Sequence, residues 1–367
     1  MDCPNLIPGL PHEIAQECLI RIPYDSFRSV RHVCRQWKQE VESTPFRSLR
    51  KESGMAQTVI ISAQSEACIV TAGEQNNTKS YTASGPIVYH ISLFHPDTGK
   101  WALLPMIPGM PIGMPLFCQL ATAGHKLVML GGWNAKNWGA SDWVFVYDFT
   151  SGTWRQGAPI PGPRRSFFAC AAFENLIFVA GGHDNDKNGL KSAMVYDVSS
   201  DTWTQLPDMS IERDEPKGFF LNGKFVVAGG YITAEQGRFR RSVQMFDPVN
   251  WTWDPVEENW LDEDVKATNS CVAVDGKVYK LKEGRYVAVR EGDAWRVVAE
   301  IPADARMTTR LVTAGNNRLV VIGGGGHGVL PVAYVATEEA GKGMTWQRWD
   351  VPMDYWGHIQ GICSMEL

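Results

Sequence analysis

The sequence predicts an all-β six-bladed propeller over residues 55 to 367, preceded by a small α-helical unit over residues 1 to 50. Three observations carry that prediction. A β-like segment ends on tryptophan six times, at Trp101, Trp154, Trp203, Trp253, Trp295 and Trp346, with spacings of 53, 49, 50, 42 and 51 residues. Before four of these an apolar run ends in paired glycines, at Gly131 and Gly132, Gly181 and Gly182, Gly229 and Gly230, and Gly323 and Gly324. The period does not reach the first fifty residues, where apolar side chains fall at helical offsets.

In chain order, "LPHEIAQECLIRIP" comes first. Pro11 suits a first helical position, Ile14, Cys18, Leu19 and Ile22 form an apolar stripe, and Pro23 ends the helix. Asp25 or Ser26 can cap a second helix, on which Phe27, Val30, Cys34, Trp37 and Val41 follow offsets of 0, 3, 7, 10 and 14. So small a unit has a small core, so its stripes are expected to serve a partner as well as each other.

Each later repeat reads as four short strands. For the third they are "SFFACAAF", "LIFVAGG", "SAMVYDV" and "TWTQLP". A lone four-stranded sheet cannot bury both faces, so the units are expected to stack around an axis as blades. The fifth unit is worn, with Lys282 and Glu283 where the glycines belong, and the first, "QTVIISAQ", also lacks the pair. The first has no room for an innermost strand of its own, whereas the chain ends on the spare run "HIQGICSMEL". The C-terminal strand is therefore expected to complete the first blade and close the ring, removing two open edges.

Composition narrows the function classes. With 20% charged and 44% hydrophobic residues and a net charge of -5, the chain has no global attraction to nucleic acid. Arg28, Arg31, Arg35 and Lys38 are offset by Glu13, Glu17, Glu40 and Glu42 and read as a solvated face. No segment is long and apolar enough to span a bilayer, and the start has no basic n-region. The eight cysteines include no C-x-x-C pair and read as buried thiols of a cytoplasmic or nuclear protein.

Catalytic and metal readings fare poorly. "DNDKNG", residues 184 to 189, resembles half of a calcium loop, but its twelfth position is Val195 and its flanks are strands. The eight histidines show no ligand spacing, "GGGGHG" precedes a strand and not a helix, and no nucleophile stands beside a base in sequence. Neither metal nor cofactor is expected, and the chain is expected not to be an enzyme.

The paired glycines, the Tyr-Asp dipeptide and the tryptophan at this period resemble kelch repeats. Residues 10 to 46 closely resemble the F-box: Leu-Pro at the start, an apolar pair before Ile22 and Pro23, V-C-R-x-W, and a closing Pro-Phe. The whole chain is similar to the plant F-box/kelch-repeat family. That resemblance implies binding of a Skp adaptor, and through it a cullin-RING ubiquitin ligase, by Leu10, Pro11, Ile14, Leu19, Ile22, Pro23, Val33, Cys34 and Trp37 or their immediate support. It implies a substrate receptor that delivers a protein for ubiquitination; a kelch scaffold without ubiquitin delivery is the alternative. Stretches such as "PLFCQL" and "PRRSFFACA" look like the branch that targets phenylalanine ammonia-lyase and other phenylpropanoid enzymes. Other members of that branch are associated with regulators of cytokinin signalling.

In such a ring, loops between second and third strands share one rim with the blade-to-blade connections. That rim would carry Trp133, Trp138, Arg164, Arg165, His183, Asp184, Arg213, Tyr231 and Arg238, residue types that anchor protein partners. The first blade's long polar loop, residues 63 to 86, is expected to form a flap or a disordered tip.

Overall fold

The computed structural model describes residues 6–65, 88–110, 113–134, 137–263, 271–315, 318–324, 330–339 and 343–367. The predicted loop of the first blade falls almost entirely outside them, as does most of the rim segment at 325–330. Among the described residues, six four-stranded antiparallel sheets form the blades. In the third blade, Ala169–Phe173, Leu176–Ala180, Ala193–Asp197 and Thr202–Leu206 match the four segments predicted for it. The innermost strands lie side by side around the axis.

Closure follows the predicted route. Ile359–Glu366 is the innermost strand of blade 1, pairing antiparallel with Thr58–Ser65 in a register that sets Thr58 opposite Glu366 and Ile61 opposite Cys363. Gln57 and Leu367 exchange backbone hydrogen bonds of 2.7 and 3.0 Å just beyond it. One sheet thus holds both ends of the repeat region.

The apolar core is divided between the blades, which explains why the second strands read as unbroken apolar runs. In Lys126–Leu130, alternation sends Leu127 and Met129 toward blade 1 and Val128 and Leu130 toward blade 3. Five of the six repeated tryptophans, all but Trp101, fasten their blade to the preceding connection. Their indole N–H groups donate from Trp154 to Pro105 O, Trp203 to Ala158 O, Trp253 to Pro207 O, Trp295 to Trp260 O and Trp346 to Glu300 O, at 2.7 to 3.2 Å. The period is set by this bond. Trp203→Phe keeps an aromatic ring but removes the donor together with part of the indole, so it is expected to cost at least about 1–2 kcal/mol in urea unfolding. A loss below about 0.3 kcal/mol would remove the bond from this account of the repeat.

The glycine pairs have a steric origin. Gly132 and Gly230 have φ of +88° and +75°, and a Cβ on either would stand 2.6 Å from a backbone oxygen of the incoming connection, Leu116 O or Asp214 O. In the worn blade 5 the second and third strands instead meet in a tight turn in which Glu283 and Gly284 both take positive φ. No long loop leaves there, and no pair is needed.

The helical unit differs from its prediction in two respects. Helix α1, His12–Ile20, has Pro11 at its N-cap and not inside its first turn. The second predicted helix is broken into α2, Phe27–Val30, and α3, Arg35–Glu42. Cys34 is fully extended between them (φ -159°) and caps α3, its Sγ accepting from the Trp37 N–H at 3.5 Å. A further helix, α4, Thr44–Glu52, was not anticipated, although Ser43 caps it and a proline stands in its first turn. Leu19, Ile20, Phe27, Val30, Val41 and Phe46 bury themselves in one core with blades 1 and 2.

Candidate functional site

Two surfaces qualify, on opposite faces of the ring. Among the described residues, the helical unit's hydrogen bonds to the ring reach turns that follow first or third strands. Tyr24 Oη lies 3.0 Å from His95 Nε2 and Arg47 3.0 Å from His125 Nδ1. The buried Arg50 donates to four carbonyl oxygens, those of Ile20, Ile22 (2.7 Å), Met55 (2.9 Å) and Leu367 (3.1 Å). Burial pulls its guanidinium down to about 10, so it stays charged at neutral pH. The rim of second-to-third-strand loops opens on the other face.

On the helical face the structure divides the predicted adaptor residues. Leu19 is buried, and Leu10, Ile22 and Trp37 are half-buried, the Trp37 Nε1 donating to Leu6 O at 2.6 Å. These four support the unit from within. Pro11, Ile14, Pro23, Val33 and Cys34 are exposed, with Ile14 at 50% and Val33 at 60%. The expected stripe is therefore not one face, since Ile14 and Cys18 point outward while Leu19 points in. Cys18 and Cys34 also depart from the expectation of buried thiols, unlike Cys118 and Cys271.

The predicted rim residues separate more sharply. Trp138, Arg164 and Arg238 are exposed, and Arg164 lies 3.7 Å from Asp142. Asp184 is half-buried and spends its carboxylate on the loop itself, accepting from the backbone N–H groups of Asp186 and Asn188 at 2.9 Å each. The calcium-like spelling is an Asx-type turn.

Arg165 and Arg213 must be withdrawn as contact residues, being 1% and 0% exposed. Each clamps its own blade's loop. Arg165 donates to Gly181 O, Ser192 O and Ser192 Oγ, and Arg213 to Gly229 O, Ser242 O and Ser242 Oγ. Tyr231 is also buried, its hydroxyl donating to Glu215 at 3.1 Å.

His183 is buried too, in an arrangement the sequence concealed. Its Nδ1 lies 2.7 Å from Asp214, and its Nε2 lies 2.8 Å from Ser166 Oγ and 2.9 Å from Lys187 Nζ. Lysine can only donate, so Nε2 is the acceptor and Nδ1–H donates to Asp214. Serine, histidine and aspartate therefore do stand in hydrogen-bond order, contrary to the expectation that no nucleophile meets a base. The order alone does not make an active site. Ser166 is 0% exposed, and its backbone is already bridged to His183, so the network serves to tie blade 3 to blade 4.

Beside it lies an aromatic floor. Phe117 and Phe167 are 5.1 Å apart, Trp133 stands edge-on to both at 5.6 Å, His183 stacks on Phe167 at 5.5 Å, and the Lys187 ammonium lies 4.2 Å from the Trp133 ring centre. Of these, Phe117, Trp133 and Phe167 are half-buried and reachable from solvent. Phe117, Phe167, Glu215 and Thr308, each two residues before an innermost strand, share left-handed backbone with φ of 49° to 54°. Such strain gathers where a surface is shaped for a ligand. The floor borders the rim mouth of the central channel, lined also by Lys217, Arg310 and Gln360. Among the described residues no cluster of three or more His, Cys, Asp or Glu could hold a metal ion.

Comparison with known proteins agrees with both parts. Residues 7–49 match the F-box domain model, and residues 117–296 match the KLHDC2/KLHL20/DRC7 Kelch-repeats domain model. The chain is 40% identical to F-box/kelch-repeat protein At1g80440 of Arabidopsis thaliana, over 99% of its own length and 100% of the relative's. It is 38% identical to F-box/kelch-repeat protein At1g15670 of the same plant, over 99% and 100%. With F-box/kelch-repeat protein SKIP20 it shares 29% over 96% and 94%. The chain belongs to the F-box/kelch-repeat family.

Proposed function

We propose that this chain is the substrate-receptor subunit of a Skp–cullin–F-box ubiquitin ligase, acting in the cytoplasm or nucleus. The observation that carries the reading is the two-faced geometry: exposed Ile14 and Val33 on a helical unit clamped by Arg50 to one face of a closed ring, with an open aromatic and cationic mouth on the other. The mechanism is proximity. The adaptor holds the helices and the mouth holds a target, so target lysines are kept at high local concentration near the ubiquitin-loaded partner enzyme. A rigid junction suits this work, since it fixes the distance between the faces.

The resemblance to the branch directed at phenylpropanoid enzymes makes phenylalanine ammonia-lyase the first target to test. The full-length chain, purified with a Skp adaptor and a cullin, is expected to retain that enzyme and to direct its ubiquitination in a reconstituted reaction. A Trp138→Ala, Arg164→Ala variant is expected to keep the adaptor and weaken the target by roughly tenfold. Stoichiometric adaptor without ammonia-lyase would discard this target and leave the receptor role; a folded chain that takes no adaptor would discard the role.

A further inference from the structure

We propose that the helical-face mouth of the central channel is a binding site for a small, uncharged polyhydroxylated molecule of about the size of a hexose or hexitol. The mouth is a cavity of about 380 Å³, roomy enough for such a molecule. Blades 1, 2, 5 and 6 all line it, so it lies on the ring axis, beside α4 at Lys51 and at the opposite end of the channel from the rim. The proposal goes beyond the receptor reading and does not depend on it.

The lining selects the chemistry. Thr58, Thr122, Thr313 and Ser364 bring hydroxyls, Asp275 and Glu366 bring carboxylates, and Lys51 brings the one positive charge among the described residues of the wall. Lys51 already lies 2.7 Å from Glu366, so no positive charge is left over and an anion is disfavoured. The same ammonium opposes a cation. Among the described residues of the wall no aromatic side chain offers a platform for a base or other planar ring. Hydroxyls and carboxylates together match a polyol, each of whose hydroxyls both donates and accepts.

Two features show that the space is kept open. Thr58 is 5% exposed, and its hydroxyl has no hydrogen-bond partner among the described residues. Its neighbours are engaged, Thr122 donating to Ser364 O at 2.9 Å and Thr313 Oγ1 lying 3.4 Å from Ser364 Oγ. A buried hydroxyl left unpaired is costly, and a ligand hydroxyl would pair it. Gly315 lies beside it with its backbone outside the left-handed region, so no turn requires glycine there. The missing side chain leaves room instead, since a Cβ would meet the Glu366 carboxylate and stand 3.0 Å from Thr58 Oγ1. A molecule in this cavity touches both α4, at Lys51, and the ring-closing strand, at Ser364 and Glu366.

The test titrates the full-length chain with glucose and with sorbitol by saturation-transfer NMR, with glucose 6-phosphate and spermidine as the charged alternatives. At least one neutral polyol is expected to saturate in the low millimolar range, unlike a sugar that acts only by exclusion from the surface. It is expected to slow hydrogen exchange at residues 122–124, 274–275 and 364–366, which border the cavity. Thr58→Val keeps the shape of the side chain, and Asp275→Asn suits the left-handed backbone at that position, φ +47°. Each is expected to melt as wild type does and to weaken the polyol by about tenfold or more. Should Thr58→Val unfold, Asp275→Asn decides, because its side chain is exposed. Binding of neither polyol, affinity unchanged in the folded variants, exchange slowed only elsewhere, or tighter binding of glucose 6-phosphate or spermidine than of both polyols would overturn the proposal.

Discussion

Arg50→Ala is expected to release the helical unit from the propeller. The side chain is buried and its guanidinium serves four carbonyls drawn from α1, the turn after it, the linker and the last residue of the chain. A hydrogen bond from a charged donor is worth about 1.5–3 kcal/mol, so losing even two of the four costs roughly 3 kcal/mol or more. The guanidinium also lies over the Phe27 ring, 5.0 Å from its centre. Lysine cannot substitute fully, because a single ammonium nitrogen has three donors and no fork. The expected result is an early unfolding transition in calorimetry and rapid proteolysis near residues 53 to 57, with Arg50→Lys between alanine and wild type. A single transition within about 2 °C of wild type, where each kcal/mol shifts the midpoint by about 2–4 °C, would show that the apolar contacts with blades 1 and 2 suffice.

Arg50 also illustrates what could be read in advance. The repeat was legible because five of its six tryptophans do a job that no other side chain does, reaching one blade back to a carbonyl while the ring packs in the blade. The glycine pairs were legible because backbone oxygens exclude a Cβ. Arg165, Arg213 and Arg50 were illegible as interior residues, since arginine is an exposed type by habit and the carbonyls that hold these three come from distant segments. The same distance hid the contacts among Ser166, His183 and Asp214. Phe117 and Phe167 went unnoticed because a left-handed backbone leaves no trace in residue type unless glycine or asparagine takes it. On the helical unit, periodicity predicted one helix where Cys34 breaks it, because offsets of 7, 10 and 14 do not reveal one extended residue between two short helices.

The adaptor surface gives the second large effect. Ile14→Asp and Val33→Asp place a charge where the free protein already exposes the side chain, so the fold is expected to melt as wild type does. In a complex those same positions are desolvated. Each loses roughly 1.5–3 kcal/mol of apolar burial, and an unpaired carboxylate adds its own penalty, so the double variant is expected to bind the Skp adaptor more than about a hundredfold more weakly. Leu19→Asp is the necessary contrast, because Leu19 is buried in the core that the helices share with the propeller. It should lose adaptor binding by unfolding the unit, visible as a lowered melting temperature, whereas the surface pair should lose it with melting unchanged. The two surface aspartates should also leave retention of a target at the opposite face as it was, since the faces are separated by the full depth of the ring. Adaptor affinity that survives both substitutions would move the docking surface away from Ile14 and Val33, and with it the orientation in which the rim is presented to the ligase.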